Sequence, residues 1–380
     1  MKYMGSKISM MNVGLSEIIS QTIDASVTRF VDLFSGSGAV ARQVAESCAV
    51  PVDAVDSQLY AKVLSGAVTM RTAKADLSVI NDWVTASREL HRRRTEHLIS
   101  IIDDKFNGDI VHQQRLQALQ IESAGFITRH YGGHYFSLDQ AIALDCLYVN
   151  LPKSKAERSV ALAAILESAS MCSASPGHTA QPFQPTSNLI KHIGLAWRRD
   201  PFVFAERQAL SLSGRYAAAP GGTASQQDSL HFVKNDIAEG SVVFCDPPYS
   251  EVQYSRFYHV LEGIARGGWS EVSGAGRAPS WSARFSSTFS SRRGSTDAFT
   301  ELFSSLAQKS ATVILTFPDH MCSNGQSADS LSDLAKNWFE ISSTQVDVSH
   351  SSLGSPRSSK GNRVPRRDVK ESVMVFTPKG

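Results

Sequence analysis

The segment Ser241-Val-Val-Phe-Cys-Asp-Pro-Pro-Tyr249 decides the reading of the fold. Small and apolar residues from Ser241 to Cys245 read as a buried strand, and Asp-Pro-Pro-Tyr ends it. Neither proline donates to a ladder, each fixes its own φ, and each pushes its predecessor into an extended conformation. The result is a stiff turn at a strand's carboxyl end, with the Asp246 carboxylate and the Tyr249 ring projecting from it. Ligands of open α/β sheets bind at that edge. The turn also exposes the Asp246 and Pro247 carbonyls, so a carboxylate, a free carbonyl and an aromatic face fall within four residues. That set suits a planar ligand bearing an NH2 group, although a rigid surface turn after a core strand would use the same residues.

Upstream, Arg29-Phe-Val-Asp-Leu-Phe34 reads as a strand leading into Ser35-Gly-Ser-Gly-Ala-Val-Ala41. Gly36 and Gly38 let the backbone turn tightly and approach a ligand, and Ala39 to Ser47 continues as helix. The loop therefore sits at a helix amino terminus. A second strand, Val52-Asp-Ala-Val-Asp56, ends in an acid 20 positions after Gly36. Nucleotide-binding βαβ units place there the carboxylate that accepts from ribose hydroxyls. Gly36, Gly38 and Ala41 fit a loose G-x-G-x-x-A fingerprint. This stretch alone does not separate a nicotinamide cofactor from S-adenosylmethionine (AdoMet), since both carry an adenosine ribose.

From about Ala75 the strand–helix rhythm lapses. Val79, Trp83, Leu90, Leu98 and Ile101 fit a long amphipathic helix interrupted by His91-Arg-Arg-Arg94 and closed by Asn107-Gly108. Ser154-x-x-Glu157 reads as a capping box opening a helix over Ala156–Met171. Residues 173–185 are loop, and Pro220–Asp228 reads as a flexible connector. The core resumes at Phe232–Ile237, and a helix over Tyr254–Arg266 follows the Asp-Pro-Pro-Tyr turn. Gly267–Gly294 is rich in serine, glycine and arginine, with Trp269, Trp281, Phe285 and Phe289 interleaved. A mobile loop of that composition would grip phosphates while its aromatics stack or wedge. Helices over Thr296–Gln308 and Ser330–Phe339 alternate with strands over Ala311–Phe317 and Ser343–Val348, and Glu371–Phe376 is the last strand. The basic link 349–370 has no helical pattern, so the two strands it joins must be antiparallel. Three segments result: 1–74 and 230–380 as a core in two parts, and 75–229 as a mainly helical insertion.

At 380 residues the chain is long for one domain, and its net charge of +2 requires any polyanion to be met by a local patch. Five scattered cysteines without a C-x-x-C argue against a disulfide framework or structural zinc and for a reducing cytoplasm. No apolar run approaches the ~20 residues that span a bilayer, so no membrane association is expected. No secretory apolar stretch follows Met1–Lys7. His130-Tyr-Gly-Gly-His134 spaces two histidines as a helical metal motif would, but its paired glycines spoil a helix, and no metal is expected.

With these pieces placed, the chain resembles the Dam-like DNA N6-adenine methyltransferases. Family order is kept: Lys2-Tyr-Met-Gly-Ser-Lys7, the glycine loop, an insertion, then Asp-Pro-Pro-Tyr. The resemblance implies an α/β, Rossmann-like sheet, mostly parallel with a terminal antiparallel hairpin, plus an inserted helical target-recognition lobe. It implies AdoMet as cofactor, with Tyr3 and Lys7 folded back over it and Phe34-Ser35-Gly36-Ser-Gly38 cradling its methionine part. Asp56 corresponds to the ribose-binding acid. Asp236 and Ile237 correspond to the pair flanking the cofactor adenine, with isoleucine where relatives often have phenylalanine. Asp246, Pro247, Pro248 and Tyr249 correspond to the catalytic turn, acting on an adenine flipped out of double-stranded DNA. Asp246 and the Pro247 carbonyl would hold both N6 protons, so that attack on the methyl group needs mostly positioning. Cytosine N4 presents the same amine, but the resembling N4-cytosine enzymes mostly carry serine where this chain has Asp246. Arg292, Arg293, Arg363, Arg366 and Arg367 are expected to contact phosphates. A restriction-modification setting, with a cognate restriction endonuclease as partner, goes with the resemblance.

Overall fold

The computed structural model describes residues 7–96, 106–122, 124–351 and 366–379. Tertiary contacts divide the chain into two compact units, one built on a sheet and one on helices. The sheet unit holds Met4–Thr72, Ala217–Tyr254 and Phe285–Gly380, and the helical unit holds Ala73–Tyr216 and Ser255–Arg284.

The sheet has seven strands: β1 (Phe30–Asp32), β2 (Val52–Asp56), β3 (Thr223–Gln226), β4 (Val242–Cys245), β5 (Thr312–Pro318), β6 (Phe339–Ser351) and β7 (Arg366–Pro378). Their order is β3-β2-β1-β4-β5-β7-β6. The first five are mutually parallel, and β7 runs antiparallel to both neighbours. Strand alternation sorts side chains to two cores. Val31, Val55, Val243 and Val313 face one side with Phe299, Leu302 and Leu331, while Phe30, Val52, Ala54, Val242 and Phe244 face the other with Val40, Val44 and Leu15. Covering both faces explains why these strands read as apolar runs rather than as alternating patterns. Strand order reverses between β1 and β4, so the crevice at their carboxyl ends is the topological switch point where open sheets hold ligands. The glycine loop follows β1 and the Asp-Pro-Pro-Tyr turn follows β4.

The helical unit contains helices at Leu77–Thr95, Gly108–Gln120, Phe126–Tyr131, Leu138–Val149, Lys155–Cys172, Ile190–Trp197, Pro201–Ser213 and His259–Arg266. Their starts follow local chemistry: Asp76, Asn107, Ser137 and Asp200 each accept backbone N–H groups of a first turn. Among the described residues no helix is long and apolar enough to cross a membrane.

Several elements differ from the sequence expectation. Asn107 does not close a helix but opens one, because its Oδ1 accepts from Asp109 and Ile110. The expected capping box at Ser154 is absent: the serine hydroxyl bonds the Glu157 carboxylate, whose other oxygen takes the Asp76 N–H at 2.9 Å. Phe232–Ile237 returns the chain to the core as expected, mostly as the helix Ser229–Asn235 capped by Asp228. Tyr254–Arg266 is two helices broken at Tyr258. Both hairpin strands run further than expected, so Arg366 and Arg367 stand on β7 rather than in the link. The contact division also falls elsewhere than at 74 and 229, since Ala217–Gln226 joins the sheet and Ser255–Arg284 packs with the helical unit.

The segment read as a connector thus contributes the edge strand β3. It is fixed by backbone proximity: a Cβ on Gly222 would stand 2.5 Å from Thr69 O and 2.9 Å from Val52 O. We expect Gly222→Ala to destabilise the protein by about 1–3 kcal/mol through overpacking. Urea unfolding checks this, and an unchanged midpoint would mean that β3 is not pinned there.

Candidate active site

The prolines end β4 as expected, and what surrounds their turn comes from distant parts of the chain. Lys7, at the start of the first helical segment, is buried and extends Nζ to Asp246 Oδ1 at 3.0 Å and to Glu371 Oε2 at 2.8 Å. Thr316 of β5 donates its hydroxyl to the same Asp246 oxygen at 3.0 Å. Oδ1 is therefore held by an ammonium and a hydroxyl. Oδ2 has no hydrogen-bond partner among the described residues, and neither has the Pro247 carbonyl. The Asp246 side chain is 21% exposed, enough for a ligand to reach it, whereas the Glu371 side chain is fully buried.

Burial and the Glu371 charge push the Asp246 carboxyl above its usual range, against the pull of Lys7. Burial alone would lower the Lys7 ammonium, but Asp246 and Glu371 outweigh it and hold the proton on. Burial pushes the Tyr249 phenol up to about 12, so it stays neutral. The Tyr249 ring stands edge-on to Phe317 at 6.3 Å. Behind the turn, the fully buried Asn324 donates to Pro248 O at 3.2 Å and to Phe289 O at 3.0 Å. This occupies the Pro248 carbonyl and leaves that of Pro247 as the open acceptor.

The glycine loop faces the same edge. Gly38 adopts φ 71°, and a Cβ there would stand 2.7 Å from Ser65 Oγ, so it serves helix packing as well as the turn. Asp56 accepts the Gly36 N–H through Oδ2 and the Gln58 N–H through Oδ1, both at 2.9 Å, tying the end of β2 to the loop. Phe34 is half-buried, edge-on to Phe289 at 5.3 Å. Asp236 lies just after its helix and accepts from Gln227 Nε2 at 2.6 Å. Ile237 is buried in the core with Phe232 and Val233, which leaves it little surface to offer a ligand. Arg292 and Arg293 are exposed just before the helix Ser295–Gln308. Tyr3 and Arg363 lie outside the described residues.

Sequence reading missed Asp32, Thr316, Asn324 and Glu371. Asp32 was legible as an acid at the end of an apolar strand. Glu371 was not, because only the sheet order brings β7 beside β5. Asp32 Oδ2 accepts the Ala41 N–H at 3.0 Å, while its Oδ1 and the buried Ser35 Oγ have no hydrogen-bond partner among the described residues. Burial pushes the Asp32 carboxyl up to about 8, against the Ala41 N–H, with the Asp246 and Asp56 charges adding to the rise.

A β3-β2-β1-β4-β5-β7-β6 sheet with a glycine loop and an Asp-Pro-Pro-Tyr turn across its switch point defines a Rossmann-like methyltransferase fold. The chain belongs to the D12 class N6 adenine-specific DNA methyltransferases, whose family pattern matches residues 3–316. It is 26% identical over 284 residues to the modification methylase LlaI of Lactococcus lactis subsp. lactis, covering 70% of this chain. It is 22% identical over 287 residues to the type II methyltransferase M.FokI of Planomicrobium okeanokoites, covering 72% of this chain. The matched region is 38% of the length of each of these relatives.

Two outcomes follow from this geometry. Lys7→Met removes the cation shared by Asp246 and Glu371 and should cost about 3–5 kcal/mol, the scale of breaking a buried ion pair. Adding Glu371→Gln should restore part of that, and equal stability of the single and double variants in denaturant titrations would refute the coupling. For Asp32, folding raises the pKa, so the native state binds more protons than the unfolded chain between about pH 4 and 8. Its contribution is complete at low pH and is lost as pH rises through the folded value. Asp32→Asn should flatten that dependence and gain on the order of a few kcal/mol at the alkaline end. Parallel thermal-melting curves of variant and wild type across this range would contradict it.

Proposed function

We propose that the chain transfers the methyl group of AdoMet to N6 of an adenine flipped from a short duplex DNA sequence, as the modification component of a restriction-modification pair. The observation that carries this reading is the division of the Asp246 carboxylate, with Oδ1 held by Lys7 and Thr316, and with Oδ2 and the next residue's carbonyl, that of Pro247, without hydrogen-bond partners among the described residues. Adenine N6 is a poor nucleophile because its lone pair is delocalised into the ring. Two acceptors that take its two N–H protons favour a pyramidal nitrogen and aim the lone pair away from them. Holding the acceptors rigid in advance lowers the barrier without reorganisation at the moment of reaction. Two prolines, Asn324 behind the turn and Lys7 beside it supply that rigidity. The Tyr249 ring gives the flipped base an apolar surface to stack on.

AdoMet, when bound, supplies an electrophilic methyl group on a sulfonium. The residues fit it: Asp56, Asp246 and Glu371 outnumber Lys7 around this edge, a field suited to a cationic ligand. The orphaned Asp32 Oδ1 and Ser35 Oγ would receive its methionine end, Asp56 its ribose hydroxyls, and Asp236 its adenine amino group. Target recognition belongs on this reading to the helical unit, with Arg292, Arg293, Arg366 and Arg367 supplying phosphate contacts. The names of the two relatives support the modification setting.

Incubation with methyl-labelled AdoMet and mixed duplex DNA, then nucleoside analysis, tests the reading. N6-methyladenine is expected. Asp246→Ala should keep AdoMet and DNA binding while losing at least about a hundredfold in turnover, the scale of removing a key electrostatic group. N4-methylcytosine in place of N6-methyladenine, or full activity in Asp246→Ala, would refute it.

A further inference from the structure

The motif His130-Tyr-Gly-Gly-His134 has no part in the chemistry above. In the helical unit, the helix Phe126–Tyr131 stops at Gly132, and the chain turns through Gly133 at φ 69°. A Cβ on Gly133 would stand 2.6 Å from the backbone nitrogen of Arg115, so the turn lies directly on the helix Gly108–Gln120. Its carbonyls hold two arginines. Arg115 donates through Nε to Gly133 O at 2.8 Å, and Arg277 donates through Nε to His130 O at 2.9 Å. Arg277 adopts φ 48°, a left-handed conformation that a non-glycine residue keeps only where its surroundings impose it. Each guanidinium anchored in this way keeps both terminal nitrogens for another partner.

Among the described residues neither arginine has an ion pair, and the charges around them are of the same sign. Burial, reinforced by Arg277, lowers the Arg115 guanidinium. Burial with Arg115 and Arg277 pushes His134 down to about 3, so its imidazole stays neutral. His130 is lowered by burial, Arg277 and Arg129. Two half-buried cations held together by backbone carbonyls repel each other unless an anion joins them. Paired planar forks match a tetrahedral phosphate, whereas the neutral edge of a guanine would serve one arginine and leave the other uncompensated.

We propose that Arg115 and Arg277, seated on the His130–Gly133 turn, clamp one phosphodiester of the duplex DNA backbone. This inference rests on the DNA substrate proposed above, and it places on the helical unit a contact that joins Arg277, from the Gly267–Gly294 segment already expected to grip phosphates, to Arg115, which the sequence did not single out.

Anisotropy titrations of the full chain with duplex DNA over a salt series test it. The Arg115→Gln/Arg277→Gln variant should bind more weakly, with the slope of log K against log salt reduced by about one for the phosphate lost. AdoMet affinity should be unchanged, and the melting temperature of the free protein should equal or exceed wild type because the repulsion is gone. The Arg115→Lys/Arg277→Lys variant, with charge but no fork, should keep the slope and still lose affinity. Neutral methylphosphonates placed one at a time should reveal one position that weakens wild type and leaves the glutamine variant unaffected. An unchanged slope, full affinity of the lysine variant, a loss confined to one DNA sequence, or no such position would each overturn the clamp. A wild type that binds no DNA would instead overturn the substrate reading beneath it.

Discussion

A buried ammonium shared by two carboxylates is the contact on which the sheet unit's candidate site depends. Lys7 reaches Asp246 on the turn after β4 and Glu371 on β7, 364 positions further along the chain. Taking three charges out of water is unfavourable unless each finds its partner in good geometry. Here one cation is shared by two anions, so both depend on Lys7 remaining in place. That arrangement couples the amino-terminal segment, the central turn and the last strand. It also orients Asp246, because occupying Oδ1 decides which oxygen is left for a ligand.

The rest of the edge reinforces the same design. Thr316 comes from the neighbouring strand, Asn324 from the turn after it, and Asp56 braces the glycine loop through backbone N–H groups. These contacts place negative charge and open acceptors on rigid elements rather than on long loops. Asp32, at the end of β1, retains a proton close to neutral pH because burial penalises its charged form, with the Asp246 and Asp56 charges adding to the effect. Acidic crowding costs stability in the empty protein and suits a cationic ligand. The helical unit holds the opposite imbalance, with Arg115 and Arg277 around one turn and neither in an ion pair among the described residues.

Much of the site was legible because it is local. Two consecutive prolines dictate a turn whatever surrounds them, and a glycine loop between strand and helix has few other uses. Asp56 could be placed by counting from Gly36, since a βαβ unit has a nearly fixed length. The antiparallel end of the sheet followed from the missing helix between its last two segments. Readings that relied on a short pattern without its partners fared worse. Ser154-x-x-Glu157 has the spacing of a capping box, but Asp76 competes for the glutamate. Pro220–Asp228 has the composition of a flexible connector, but it holds β3, and the backbones of Thr69 and Val52 close on Gly222.

The sequence by itself determined the Asp-Pro-Pro-Tyr turn, the glycine loop, the apolar strands that lead to them and the resemblance that joins them. Covalent geometry and period-two burial act over a few residues and need no distant contact. Only the tertiary structure decided that β7 enters between β5 and β6, that Lys7 lands on Asp246 and Glu371, and that two arginines 162 positions apart meet on one glycine turn. Those pairings depend on which elements become neighbours, and a lone charge in a sequence does not say which neighbour will neutralise it.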